Sequence, residues 1–280
     1  MSTIVALLYD FDKTLGTTDM MDYEFIPSLG VKPAQFWKEA NGLAFDNGMD
    51  GVLAYMYYMK EFSEKTDKRF KREDLVALGR GIEFFKGVRR WFKRINDYGK
   101  ELGLTVEHYV ISSGLREMIE GTVIAKEFKG IFASEFMYDE NGYPVWPKLS
   151  VNYTNKTQFV YRINKGVLDI SNDRDLNAST PEEQRRVKFT NMIYIGDGLT
   201  DVPCMKLVKS SGGTSIALFN RKKTEVAKDM LEHERVDFAF NADYSEGSDL
   251  DIIMHRLLDK LAADNALSEE KLKHKSFGEE

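Results

Sequence analysis

Six apolar residues, Ile4 to Tyr9, run without a break and stop at two acids, Asp10 and Asp12. With no polar residue in alternation the run has no wet face, so it predicts a strand buried on both sides, as in a parallel sheet. Such a strand hands the residues after it to the carboxyl edge of the sheet, where open α/β folds bind their ligands. Asp10, Asp12 and Thr14 are therefore expected where chemistry concentrates. Acids at a strand end are also ordinary loop residues, and the rest of the chain has to separate the two readings.

A chain of 280 residues has room for one or two domains and a sizeable core. Its net charge of −6 gives no reason to expect a nucleic-acid or anionic-membrane partner. An anionic substrate would need local compensation from a metal ion or a few placed cations. One cysteine, Cys204, excludes an internal disulfide framework and fits a reducing compartment. No leader pattern opens the chain and no apolar run approaches a membrane span, so the expected location is the cytoplasm. The Asn-x-Ser/Thr triplets at Asn152, Asn155 and Asn177 then carry no glycosylation reading.

After Thr17 the pattern changes. Residues 17–83 contain no strand signal. Asp50 is placed as the N-cap of a helix through Glu64, and Arg72–Arg80 as a further short helix. This block is rich in Met and aromatic residues, among them Met20, Met21, Trp37, Tyr55, Met56 and Met59. It reads as a small helical domain with its own core, or else as an apolar surface facing a substrate.

From Phe84 the α/β pattern returns. Phe84, Val88, Trp91, Phe92, Ile95 and Tyr98 keep helical spacing, weakened at Gly99 and ended at Gly103. Strands are expected at Val106–Ser112, Ile131–Phe136, Met192–Ile195, Thr214–Phe219 and Phe238–Tyr244. Asn141-Gly142 marks a hairpin, and a helix from about Asn155 stops at Gly166. Residues 171–186 read as a surface excursion, with Thr180-Pro181-Glu182-Glu183 opening a short helix. A helix follows Thr200, and Ser248 caps another that runs to Leu261, with a charged, fraying tail beyond Asn265. Strands alternating with helices predict an α/β fold: a Rossmann-like parallel sheet flanked by helices. The expected division is a core of 1–16 and 84–265, a helical insert of 17–83, and a tail of 266–280.

Three strands now end in residues able to do chemistry: Asp10 with Asp12, Ser112 with Ser113, and Asp197 with Asp201. Lys156 opens the helix between the second and third. Asp10-Phe11-Asp12-Lys13-Thr14, a serine after the second strand, the helix-start lysine and Gly196-Asp197-Gly198-Leu199-Thr200-Asp201 occur in the order of four motifs. In this the chain resembles the haloacid dehalogenase-like superfamily of hydrolases, and within it the phosphoserine phosphatase-like branch. The resemblance covers roughly 1–16 and 84–245. Asp-Lys-Thr also occurs in the phosphorylated motif of ion-pumping ATPases, which would make Asp12 the nucleophile. That alignment needs a threonine where Gly16 stands, whereas counting from Asp10 puts Thr14 at the right spacing. Asp10 is the first acid of the motif.

The resemblance implies a phosphatase acting on a small phosphomonoester. Asp10 would attack phosphorus and form an aspartyl-phosphate, and Asp12 would serve as general acid and then general base. Mg²⁺ would be held by Asp10, Asp197 and the backbone carbonyl of Asp12. Ser112, Ser113 and Lys156 would bind phosphoryl oxygens, while Thr14 and Asp201 support the site. The position after the first motif that binds a substrate amine in phosphoserine-type enzymes corresponds to Asp19. Arg69, Arg72 and Arg80 are only candidates for a substrate carboxylate. Lys165 competes with Lys156 but lies near the helix stop. No GxxxxGK[ST] loop occurs. A phosphotransferase would use the same residues, and a non-catalytic binding protein on the same fold is the other class. The 17–83 block would cap the acids.

Overall fold

The computed structural model describes residues 3–220 and 224–277. Its strands are β1 (Thr3–Tyr9), β2 (Leu104–Leu115), β3 (Phe128–Tyr138), β4 (Pro144–Leu149), β5 (Met192–Gly196), β6 (Thr214–Phe219) and β7 (Phe238–Asn241). They form one sheet in the order β4-β3-β2-β1-β5-β6-β7, parallel except for the β3–β4 hairpin. β1 is central, and the chain leaves it toward β2 on one side and β5 on the other. That reversal opens a crevice at the carboxyl ends of these three strands.

Register fixes what enters the crevice. Tyr9 pairs with Val110 of β2 and with Ile195 of β5. The Asp10 amide still donates to the Ile195 carbonyl, at 2.9 Å. Asp10 is thus one residue past that level, and Ser112 and Asp197 are each two past it. Three stretches far apart in sequence end in polar residues at one edge.

The insert after β1 carries α1 (Met20–Tyr23), α2 (Phe25–Ser28), α3 (Pro33–Asn47), α4 (Gly51–Lys65) and α5 (Arg72–Leu78). The sheet is covered by α6 (Val88–Glu101), α7 (Arg116–Glu120), α8 (Lys156–Lys165), α9 (Asp173–Asn177), α10 (Val202–Ser210), α11 (Glu225–Glu232) and α12 (Asp249–Phe277). Alternate residues of β1 serve opposite faces. Val5, Leu7 and Tyr9 pack with α6 and α12, while Ala6 and Leu8 pack with α8 and α10. Two buried faces account for the unbroken apolar run.

The separate core expected for the insert is not what forms. Met20, Met21, Phe25, Phe36, Met56 and Met59 belong to the same buried cluster as Val5, Leu7 and α6. Phe70 meets Phe136 of β3 edge to face at 6.1 Å. The insert is joined to the sheet by paired backbone: Thr17 donates to Glu83, Phe85 donates to Leu15, and Gly16 bridges Phe84. That pairing is also why α6 starts at Val88 and not at Phe84. Gly99 does not weaken α6 but lets it approach β2, since a Cβ there would lie 2.5 Å from Val106 Cγ2.

Four further expectations change. The short helix expected to open at Thr180 is a single 3-10 turn, Glu182–Gln184, with Pro181 in extended backbone before it. A short helix, α9, lies in the stretch read as a surface excursion, and another, α11, where no element was expected. β7 stops at Asn241, and Tyr244 instead donates its hydroxyl to the Thr14 carbonyl at 2.9 Å. The charged tail continues α12 to Phe277, where Lys273 pairs with Glu270 one turn away. No helix among the described residues is long and apolar enough to cross a membrane.

Behind β1 lies a polar chain inside the core. Trp91 Nε1 donates to the Tyr9 hydroxyl at 2.9 Å, and that hydroxyl meets His108 Nδ1 at 3.0 Å. His108 Nε2 faces Asn96 Oδ1 at 2.9 Å, which fixes one neutral tautomer. Burial lowers the His108 pKa from 6.5 to about 3. Above pH 6.5 neither the folded nor the unfolded chain carries this proton, and the stability is fully present. As pH falls from 6.5 toward 3, only the unfolded chain takes it up, so stability is lost by about 1.4 kcal/mol per pH unit from this group. Urea unfolding of wild type and His108→Gln at pH 7.5 and pH 5 should show the wild type losing ground by that slope. Parallel acid losses in the two proteins would refute the assignment.

Candidate active site

The loop after β1 is a tight turn. The Phe11 carbonyl accepts from the amides of Leu15 and Gly16, at 2.9 and 3.0 Å. Lys13 takes a left-handed φ of 56°, a conformation that costs a non-glycine residue roughly 1 kcal/mol or more. Phe11 is buried, and Asp10 and Asp12 line the crevice. Asp12 Oδ1 accepts from the Met20 amide at 2.8 Å. Lys13 Nζ reaches Asp19 Oδ2 at 2.6 Å.

Lys156 is positioned by a knot of asparagines ahead of α8. Asn152 and Asn155 exchange backbone-to-side-chain bonds, and the Lys156 amide donates to the Asn152 carbonyl. Asn152 Nδ2 also donates to Asp50 Oδ2 at 2.9 Å, while Asp50 Oδ1 caps α4 through Val52 and Leu53. The Lys156 ammonium is buried and lies 2.8 Å from both Asp10 Oδ1 and Asp201 Oδ1. Lys165 is elsewhere, donating to the carbonyls of Leu176 and Ala178.

Asp201 is fully buried. Its Oδ1 also accepts from Tyr194 at 2.9 Å, and its Oδ2 from the Gly198 amide at 3.3 Å. A Cβ at residue 196 would stand 2.4 Å from Asp201 Oδ2. The Gly-Asp-x-x-x-Asp spacing thus folds the second acid back against the glycine that ends β5.

Asp10, Asp197 and Asp201 bring carboxylate oxygens within 4.8 Å of one another. Their donors are oxygen alone, the set a hard divalent cation prefers. Three carboxylates against the one Lys156 ammonium leave negative charge that such a cation balances, so the residues fit the group. The Asp12 side chain is not in this cluster, whose third carboxylate is Asp201.

Protonation follows from the crowding. Burial lifts Asp10 to about 6, against the pull of Lys156. Burial, then the charges of Asp10 and Asp201, push Asp197 to about 8. Asp12 is raised well above the usual carboxylate range, by burial first and then by Asp10 and Asp19. Burial alone would lower the Lys156 ammonium, yet Asp10 and Asp201 together hold it above the ordinary lysine range. Cys204 is buried and pushed up to about 12 by burial, which leaves it inert.

A cavity of about 330 Å³ brings together Asp10, Asp12, Ser112, Ser113, Lys156 and Asp197, with Lys13, Asp19 and Thr200 at its side. Thr14 does not line it: the residue is buried in the turn, and its Oγ1 has no hydrogen-bond partner. A second cavity of about 300 Å³ adjoins the first through Asp12, Asp19, Ser113 and Thr200. Its walls come from the insert and from the loop before α8, and include Met21, Trp37, Val52, Tyr55 and Tyr153. Sequence reading missed these walls as a set, although Asp50, the cap of α4, had already placed one edge of them. The larger depressions, about 700 Å³ each, lie along α6 around Arg89, Arg90 and Arg94 and contain none of the strand-end acids. Arg69 stacks on Tyr143, Arg72 pairs with Glu120, and Arg80 lines an α6 depression, so none of the three reaches either site cavity.

Known proteins resemble the chain in sequence and in fold. A protein of Borreliella burgdorferi, itself uncharacterised, is 29% identical over 275 residues, spanning 88% of this chain and 94% of its own length. A solved hydrolase of the haloacid dehalogenase family from Salmonella enterica serovar Typhi superposes with a TM-score of 0.58 at 17% identity, over 85% of this chain and 67% of that one. A phospho-aspartyl intermediate analogue of phosphoserine phosphatase superposes with a TM-score of 0.55 at 16% identity, over 90% of this chain and 98% of that one. The family described as haloacid dehalogenase-like hydrolase matches residues 7–206, from within β1 to within α10. That span holds the strand-end acids, the buried lysine and most of the chain, which belongs to the haloacid dehalogenase-like hydrolases.

Proposed function

We propose that the protein is a Mg²⁺-dependent phosphatase of small phosphomonoesters, working through an aspartyl-phosphate on Asp10. The observation that carries this reading is the division of labour between two neighbouring acids. Asp10 touches Lys156 and belongs to the carboxylate cluster, while Asp12 stands outside it, bound to the Met20 amide and favouring its protonated form.

A phosphate monoester is dianionic, and a carboxylate cannot approach it without neutralisation. Mg²⁺, when bound by Asp10, Asp197 and the Asp12 carbonyl, with Asp201 beside them, supplies that neutralisation. Asp10 attacks phosphorus, the bond from phosphorus to the leaving oxygen breaks, and Asp12 gives that oxygen its proton. Water then attacks the aspartyl-phosphate, returns a proton to Asp12, and frees Asp10 and inorganic phosphate. Lys156, Ser112 and Ser113 hold the phosphoryl oxygens. Asp201 fixes the lysine from behind, at 2.8 Å. The 17–83 insert acts as a cap that shields the acids from water and selects the leaving group.

Phosphate release from p-nitrophenyl phosphate tests the reading. Turnover should appear with millimolar Mg²⁺, vanish with EDTA and return on re-addition. Equal rates with and without the chelator would sink it.

A further inference from the structure

The second cavity carries information on the leaving group. Its walls carry Met21, Val52 and aromatic rings beside Ser113, Asn152 and Thr200, with carboxylates at Asp12, Asp19 and Asp50 and, among the described residues, no arginine. Lys13, which lines the adjoining cavity, is already held by Asp19 at 2.6 Å. Asp50 is fixed by four hydrogen-bond donors, from Val52, Leu53, Ser150 and Asn152. A leaving group bearing a carboxylate would find no free cation here and would face like charge.

The rings point the other way. Trp37 and Tyr55 meet edge to face at 72° with centroids 5.7 Å apart, and both line the cavity. Trp37 Nε1 donates to Asp22 Oδ1 at 2.9 Å, which draws electron density into the indole and makes its face more attractive to a cation. The Tyr55 hydroxyl is committed to the Ser113 carbonyl at 2.7 Å, which locks that ring beside the phosphate-facing loop. Tyr153 adds a third ring at the exposed side. Aromatic faces backed by fixed carboxylates are the chemistry that holds a compact ammonium group.

Resting on the phosphatase reading, we infer that the substrate is the phosphomonoester of a small amino alcohol without a carboxylate, its ammonium seated against Trp37 and Tyr55. The phosphorus–oxygen bond breaks as above, the alcohol oxygen takes the Asp12 proton, and the ammonium leaves unchanged.

The test compares charged esters with neutral shapes under saturating Mg²⁺. Phosphocholine is set against 3,3-dimethylbutyl phosphate, phosphoethanolamine against propyl phosphate, and phosphoserine is measured beside them. In at least one pair the charged ester should lead by roughly tenfold in kcat/KM, with phosphoserine below it. Trp37→Leu should bring that ratio toward one, and Trp37→Phe should retain part of it. Because each ratio is taken within one protein, a loss of folded enzyme cancels. Neutral esters equal to both charged ones, or phosphoserine as the best substrate, overturns the inference. In that case continued hydrolysis of p-nitrophenyl phosphate leaves the phosphatase reading standing. No hydrolysis of any ester with Mg²⁺ overturns both.

Discussion

Asp10→Asn should fold normally and lose at least about 1,000-fold in kcat on any phosphomonoester, because an amide cannot form the acyl-phosphate link. Folding should survive because two changes oppose each other. The substitution removes a charge-assisted bond to Lys156 and also removes a carboxylate that burial has lifted to about 6 among Asp197 and Asp201. Thermal melting within a few degrees of wild type, together with lost turnover, separates chemistry from structure. A variant that keeps Mg²⁺-dependent turnover would show that the nucleophile lies elsewhere.

Lys156→Met should be the most damaging single change to stability. The ammonium is the sole cation in contact with the buried carboxylates Asp10 and Asp201 among the described residues. Removing one partner of a buried ion group typically costs about 3–5 kcal/mol, since the charges left behind stay desolvated. For a chain of this size that is roughly 10 °C in Tm. A divalent cation should recover part of the loss, because it supplies the charge the lysine took away. Melting in EDTA and in Mg²⁺ reads this directly. An equal Tm drop in both buffers would mean that packing, not charge, explains the effect.

How much was legible depended on whether a signal was local. β1 could be read because two buried faces leave no alternation, and its acids because they interrupt that run. Lys156 could be read from the helix start and the Gly166 stop. The contact itself could not: Asp201 lies 45 residues away, and only the fold brings its carboxylate to 2.8 Å from the ammonium. Periodicity showed that Met56 and Met59 are apolar, but not that they share one core with Val5 and Leu7. The tail reads as a solvated coil because it is rich in charge, when it continues α12 and Glu270 and Lys273 become neighbours on the helix. The second cavity was invisible for the same reason as the lysine's partners, since its walls come from α1, α3, α4 and the loop before α8.

The shared core bears on motion. An insert whose methionines and phenylalanines pack with the sheet belongs to the sheet's cooperative unit, and swinging it away whole would expose that common interior to water. Access to the acids is therefore expected at the edge of the insert and not by its release as a whole. The hydrogen bonds from Ser150 and Asn152 to Asp50 lie on that edge and tie the start of α4 to the strand of chain that leads into Lys156. Loosening them would widen the entrance and slacken the lysine in one movement, coupling entry of a ligand to the readiness of the charge that receives it.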